Sequence, residues 1–204
     1  MYSLLRPLLF SLDPETSHQL TLHALRLAGN FPLSNWLLTQ LYKTESKPVQ
    51  AFGLTFKNPI GLAAGYDKDA LAVRGLAALG FGHIEIGTVT PQPQAGNPRP
   101  RVFRLAEDEA VINRMGFPSQ GMSKVAGRMS KVGNQRHAIV GINLGKNKDT
   151  PLEEAARDYV ELMKVFSPLA DYLTINISSP NTVGLRRLQN REMLEQLLNQ
   201  INLE

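Results

Sequence analysis

The chain has 204 residues, 43% hydrophobic and 20% charged, with a formal net charge of +4 and an isoelectric point near 9.4. That length builds one good core with a small appendage, and the composition is that of an ordinary globular protein rather than a disordered or fibrous one. Cysteine is absent, which excludes disulfides, thiolate metal sites and a cysteine nucleophile; the mild charge, without a Lys/Arg run interleaved with aromatics, gives no reason to expect nucleic acid as a partner.

Residues 1–47 read as helical throughout. Leu5, Leu8, Leu9 and Leu12 recur at helical spacing. Asp13-Pro14-Glu15 supplies an N-cap, a proline at the first helical position and an early acid, a strong helix start. Leu20, Ala24, Leu27 and Ala28 form its apolar stripe, and Gly29-Asn30 is expected to stop it. A third helix follows Pro32, with Leu33, Trp36, Leu37 and Leu41 on one side. These helices either pack on the main domain or rest an apolar face on a membrane, for which Arg6, Arg26 and Lys43 are suitable flanks. None is long enough to span one. The first residues, Met1 to Leu12, hold too short an apolar run for a secretion signal, so Asn176-Ile177-Ser178 matches a glycosylation acceptor by letter only.

From Pro48 the rhythm changes to alternating strands and helices. Strands are expected at Pro59–Ala63, His83–Gly87, Ala138–Ile142 and Tyr172–Ile177. Helices are expected at Ala70–Leu79, Ser123–Val132, Pro151–Phe166 and Arg191–Ile201. Nearly continuous apolar strands separated by helices indicate a parallel sheet covered on both faces. Lys124, Arg128, Lys131 and Arg136 read as a solvated helix face. The histidines His18, His23, His83 and His137 lack metal-binding spacing, and no metal is expected.

Four βα units suit either half of a (β/α)8 barrel or an open doubly wound sheet. No G-x-G-x-x-G follows the first strand, which argues against a dinucleotide fold. The unusual residues favour the barrel, because Ala64-Gly65, Thr88, Asn143 and Asn176 stand at strand C-terminal ends, where barrel enzymes build their sites. After the first strand, small residues in Gly61–Asp69 let a flat ligand approach the backbone. Lys68, read as lying in the first turn of the next helix, opposes the helix dipole and suggests pairing with an anionic ligand. The long insertion from Gly96 to Phe117 has the character of a lid or site wall. Asn113, Asn143, Asn176 and Asn181 make a site rich in amides, which complements a planar ligand with alternating N–H and C=O groups.

Taken in order, Gly61–Asp69, Gly80–Gly82, Glu85–Thr90, Asn97–Arg104, Ile112–Phe117, Gly141–Lys148 and Asn176–Thr182 resemble the class 2, quinone-linked dihydroorotate dehydrogenases. The resemblance implies a TIM-barrel (β/α)8 fold carrying FMN. It implies FMN contacts at Ala64, Gly65, Tyr66, Asp67, Lys68, Thr88, Asn143 and Asn176. Substrate contacts are implied at Lys68, Asn113, Arg114, Met115, Gly116, Phe117, Asn176 and Asn181. Ser179 would be the general base that removes the C5 proton of dihydroorotate while a hydride passes from C6 to FMN N5. Class 1 relatives place a cysteine at that position. His18 and Arg104 match a quinone tunnel, and residues 1–47 match an extension that lies on the membrane. Val183 departs from a usual proline, and Pro118-Ser119 from a frequent Asn-Asn.

A (β/α)8 barrel takes roughly 250 residues, with a phosphate site after its last strands. Residues 48–204 are therefore expected to form about the first four βα units. The family's later lysine and Gly-rich phosphate loops have no counterpart here. The chain alone is accordingly expected neither to hold FMN stably nor to oxidise dihydroorotate. The full-length form is expected as a monomer, peripheral on the cytoplasmic side of an inner membrane. Two rival readings are a soluble class 1-like flavin dehydrogenase and a non-catalytic, membrane-associated or interaction module.

Overall fold

The computed structural model describes residues 2–43, 45–133 and 138–202, so Arg136 and His137 lie outside the described residues. Three helices come first: α1 (Tyr2–Ser11), α2 (Pro14–Asn30) and α3 (Pro32–Leu41). A short antiparallel hairpin follows, β1 (Val49–Ala51) with β2 (Leu54–Phe56), which the sequence reading did not foresee. Then come β3 (Gly61–Leu62), α4 (Val73–Ala78) and β4 (His83–Val89). The long insertion is a second antiparallel hairpin, β5 (Val102–Leu105) with β6 (Ala110–Asn113). It leads to α5 (Met122–Val132), β7 (Ile139–Leu144), α6 (Ala155–Phe166), β8 (Tyr172–Ile175) and α7 (Arg191–Asn202). The main sheet has four strands, all parallel, in the order β3-β4-β7-β8. Among the described residues no helix is long and apolar enough to cross a membrane.

Side chains alternate across this sheet, as the two-residue strand period requires. Ile84, Ile86, Val140, Ile142 and Leu144 point into the helix-covered core and are fully buried. Each contributes roughly 1.5–3 kcal/mol by leaving water. Their alternates, His83, Glu85, Asn143, Tyr172 and Thr174, fall on the other face, which carries the polar side chains.

Several boundaries differ from expectation for visible reasons. The helix expected from Ala70 starts at Val73, because the Asp67 carboxylate takes the N–H groups of Leu71 and Ala72, each at 2.8 Å, and Ala70 has φ 56°. Lys68 therefore lies in a turn before the helix, and the dipole argument for it falls away. The expected Pro59–Ala63 and Tyr172–Ile177 strands shrink at both ends and at one end respectively, while β4 and β7 run to Val89 and Leu144. The helix expected from Pro151 opens as a 3-10 turn, Leu152–Glu154. Arg128 is not a solvated charge: it donates to the Asp69 carbonyl at 2.8 Å and to Gln120 Oε1 at 2.6 Å.

The start of α2 is as expected, with Asp13 Oδ1 accepting the N–H of Glu15 and of Thr16 at 3.0 and 3.1 Å. Its apolar stripe keeps to the outside, the alternative to packing on the domain. Leu20 and Leu27 are 58% and 60% exposed, whereas Glu15, Ser17, Leu22 and Gly29 are buried. Gly29 lies within the helix, which ends at Asn30 as expected. It lets α2 press on α4, because a Cβ there would sit 2.3 Å from the Gly75 nitrogen. The helical segment is thus docked on the sheet domain while keeping an apolar outer face at Leu4, Leu8, Leu33, Trp36 and Leu41.

Gly29→Ala should destabilise the chain by about 1–3 kcal/mol through overpacking. Gly127→Ala, on α5 where a Cβ meets nothing within 4 Å, should stabilise it by about 0.5–1 kcal/mol. Urea midpoints of the two variants decide this; equal effects would contradict the close approach of α2 and α4.

Candidate functional site

At the C-terminal ends of the parallel strands, three polar side chains from three different strands meet. The Thr88 hydroxyl donates to Asn143 Oδ1 at 2.6 Å. Asn176 Nδ2, just past β8, donates to that same oxygen at 3.0 Å and to Thr88 Oγ1 at 3.2 Å. Thr88 and Asn143 are buried, so their polar atoms must be satisfied within the protein. From behind, the Tyr159 phenol of α6 donates to the Asn176 carbonyl at 2.9 Å. The row is therefore fixed both across the sheet and from the helix layer.

The turn after β3 is built around the same edge. Gly65 N–H donates to the Gly87 carbonyl at 2.9 Å, and Gly87 N–H to the Asp67 carbonyl at 3.1 Å. Gly65 has φ 110°, and a Cβ there would meet no protein atom within 4 Å, which leaves the backbone of Ala64-Gly65 open to a flat ligand. Asp67, fully buried, does not face that opening. Its carboxyl is pushed up by burial and partly held back by the Ala72 and Leu71 N–H groups, so it braces the loop. Lys68 Nζ donates to the Gly65 carbonyl, which sets its ammonium beside the opening. Burial lowers its pKa, and among the charges around it Asp69 raises it while Arg101 lowers it.

This turn is also where the helical extension attaches. His18 Nε2–H donates to the Tyr66 carbonyl at 2.6 Å, the two rings meet edge-on at 5.0 Å, and the Tyr66 hydroxyl donates to Thr21 Oγ1 at 3.0 Å. Close by, buried Glu15 accepts from Arg101 Nη2 at 2.9 Å and Arg99 Nε at 3.1 Å. Arg104 donates to the Leu12 carbonyl at 2.8 Å and covers the Phe10 ring at 4.6 Å. Arg6, Phe10, Arg104 and the β5–β6 hairpin line a cavity of about 520 Å³; His18 is not in its lining.

The insertion folds back toward the row. Phe117 lies against Gly145, where a Cβ would be 3.1 Å from its ring and 2.5 Å from the Thr88 methyl. Asn113 and Arg114 are exposed at the hairpin's end, with Arg114 held by the Pro100 carbonyl at 2.9 Å. Met115 and Gly116 carry the chain from there to Phe117. On the opposite side, Ser179 Oγ accepts the Asn181 N–H at 3.2 Å. Asn97 Nδ2 joins the two walls, donating to the Arg114 carbonyl at 2.9 Å and the Asn181 carbonyl at 3.5 Å. Ser119 is buried, pairs with Gln94 in an isolated antiparallel bridge and accepts from Thr90 N–H and Gly121 N–H at 3.3 and 3.1 Å, and Val183 is exposed. No cluster of His, Asp or Glu suited to a metal occurs among the described residues.

Sequence reasoning passed over three contributors. Asn97 was one residue of a quoted motif without a role. Asn147 accepts the Gln92 N–H at 2.9 Å and donates to Gln94 Oε1 at 3.0 Å, which ties the insertion's base to β7. Glu85 accepts from Asn143, Tyr172 and Thr174. Its signal was present, a carboxylate within the apolar run His83–Val89.

Comparison with known proteins adds an independent line. A family model described as Dihydroorotate dehydrogenase matches residues 47–204. Curated relatives named dihydroorotate dehydrogenase (quinone), from Roseiflexus sp. (strain RS-1) and Acidithiobacillus ferrooxidans, are each 56% identical to this chain. The matches cover 98% and 97% of it, and 56% and 54% of the relatives. A crystal structure of DHODH from Eimeria tenella in complex with ferulenol aligns with a TM-score of 0.76 and 42% identity, covering 93% of this chain and 50% of that one. The chain spans about half the length of the curated relatives it matches.

Burial, and then the Glu85 carboxylate, push the Tyr172 phenol up; burial does the same to Tyr159. The folded phenols keep their protons where free tyrosines, with a pKa of about 10, lose theirs. The stability they add is whole below about pH 10 and lost above it. Tyr172→Phe should flatten that alkaline loss, read from urea midpoints on either side of about pH 10. An unchanged alkaline slope would contradict the environment described for Tyr172.

Proposed function

The chain belongs to the dihydroorotate dehydrogenase family, and from that membership we propose that it carries the substrate- and flavin-facing side of a quinone-linked dihydroorotate dehydrogenase. The reaction is oxidation of dihydroorotate to orotate, a step of pyrimidine biosynthesis. One observation carries this reading: the Thr88–Asn143–Asn176 row at the strand ends faces the open Gly65 turn and leads directly into the Ser179 loop. In this proposal the parallel sheet β3-β4-β7-β8 is the opening half of an eight-stranded barrel, residues 48–204, and residues 1–47 are its membrane- and quinone-facing extension.

The residues present suit FMN. An open glycine turn accepts a flat ring at van der Waals distance, and a row of amides and a hydroxyl offers donors and acceptors to its edge. FMN, when bound, supplies the hydride acceptor. Ala64 and Gly65 would take the ring's face, and Thr88, Asn143 and Asn176 its polar edge; Tyr66 and Asp67 act through the loop they brace. Lys68 would hold the substrate carboxylate, with its lowered pKa reflecting a desolvated position beside Gly65. Asn113 to Phe117, Asn176 and Asn181 would surround the pyrimidine ring, while Ser179 Oγ takes the C5 proton. A hydroxyl is a weak base, so a positioned proton path from Ser179 is required.

The outer helices fit the quinone side. Leu20 and Leu27 on α2, with Leu33, Trp36 and Leu41 on α3, are exposed apolar residues. Such a face lies in a lipid interface, favoured by the nearby cations Arg26 and Lys43. The 520 Å³ cavity at Phe10 and Arg104 is the candidate quinone entry, and His18, outside its lining, holds the proposed flavin turn through the Tyr66 carbonyl. Localisation at the cytoplasmic side of an inner membrane, as a monomer, completes the proposal.

Residues 1–204 joined to the remaining part of the Roseiflexus relative should form orotate from dihydroorotate with a short-chain quinone, whereas the 204-residue chain alone should not. In the joined protein Ser179→Ala should lower the rate about 10²–10⁴-fold. An inactive chimera that folds and binds FMN, or an active Ser179→Ala variant, would refute the assignment. Separately, Leu27→Glu with Leu33→Glu and Trp36→Glu should abolish co-sedimentation with anionic vesicles; undiminished sedimentation would remove the membrane role from this face.

A further inference from the structure

Glu85 sits one layer beneath the strand-end row, between Ile84 and Ile86, which are buried in the core. Its Oε1 accepts Asn143 Nδ2 at 2.8 Å. Its Oε2 accepts the Tyr172 phenol at 3.0 Å and the Thr174 hydroxyl at 3.1 Å. A carboxylate only accepts, so Asn143 must turn its nitrogen toward Glu85 and its oxygen toward the row.

Everything above then has one direction. Asn143 Oδ1 receives the Thr88 hydroxyl at 2.6 Å, which leaves Thr88 Oγ1 only lone pairs to offer. Asn176 must answer both oxygens with its nitrogen, and does so at 3.0 and 3.2 Å. Its own oxygen consequently turns to the next loop, where it accepts the Ser178 N–H at 3.2 Å and the Ser178 hydroxyl at 3.3 Å. Each amide could be reversed by itself at little geometric cost. Anchored on a carboxylate, none can reverse without breaking the chain of bonds.

We propose that Glu85 is a positioning residue that sets the polarity of the whole row, from Asn143 through Thr88 and Asn176 to the loop bearing Ser179. It thereby decides which strand-end groups donate and which accept. What the row recognises rests on the functional reading above; the direction of the row does not.

The test reads the side-chain amides of the 204-residue chain by NMR, isotope-labelled and with no ligand added. In the wild type, Asn143 and Asn176 should each give one set of signals, with a through-hydrogen-bond coupling from Asn143 Nδ2 to the Glu85 carboxyl carbon. In Glu85→Gln, the side chain can present either its oxygen or its nitrogen to Asn143. Both asparagines should then split into two sets, with side-chain exchange about tenfold faster, as expected for losing a charge-assisted bond. Unsplit signals at wild-type positions, or splitting at Asn143 that leaves Asn176 unmoved, would overturn the proposal. The wild-type coupling decides the matter if Glu85→Gln does not fold, since its absence is equally fatal. A joined protein, residues 1–204 with the remaining part of the Roseiflexus relative, that folds but binds neither flavin nor dihydroorotate would defeat the functional reading and leave these signals of the 204-residue chain as they are.

Discussion

Glu85, half-buried on the polar face of the parallel sheet, accepts from three side chains, and these bonds organise the groups leading to the sheet's C-terminal edge. Two strands answer Glu85 of β4: Asn143 from β7, and Tyr172 and Thr174 from β8. Parallel pairing makes this possible, because register places Gly87 opposite Asn143 and Asn143 opposite Thr174. A slip of one residue would send every one of these groups into the apolar layer beside Ile84 and Ile142. Polar satisfaction and hydrophobic burial therefore select the same register, one on each face of the sheet.

The second organising contact is the docking of the helical segment. Glu15 lies in the first turn of α2, where the helix dipole favours an anion, and Arg101 and Arg99 neutralise it from the insertion. Such a buried pair is weak evidence for stability but strong for geometry, since removing one partner leaves an unpaired charge at a cost of about 3–5 kcal/mol. Together with the His18–Tyr66 contact, it fixes the Gly65 turn and the insertion relative to helices whose outer surface is apolar. The proposed oxidation needs such a link, because electrons taken at the strand ends have to leave toward a lipid-soluble acceptor.

Much of this was legible in the sequence. Apolar runs ending in Thr88, Asn143 and Asn176 announced parallel strands delivering polar groups, and Asp13-Pro14-Glu15 marked its helix start. Other features were hidden for physical reasons. Asp67 looked like a ligand-facing acid in a small-residue loop, but its carboxylate is consumed by the Leu71 and Ala72 N–H groups, which also shortens the following helix. Which face of α2 docks was left open by its apolar stripe: docking relies on Ser17, Leu22 and Gly29, and Leu20 and Leu27 stay outside. Glu85 stood out as a carboxylate in an apolar run, but its role was hidden because its partners come from residues far along the chain.

The central proposal is that the strand-end row would orient flavin and dihydroorotate so that Ser179 takes the C5 proton while the flavin takes the C6 hydride. The most direct measurement is the rate of flavin reduction in the joined protein with dihydroorotate deuterated at C5, and separately at C6. The account predicts slower reduction from either substitution, with the C5 effect tied to Ser179. Reduction unaffected by deuterium at C5 while C6 deuterium still slows it would mean that Ser179 removes no proton during the step, and would contradict the account.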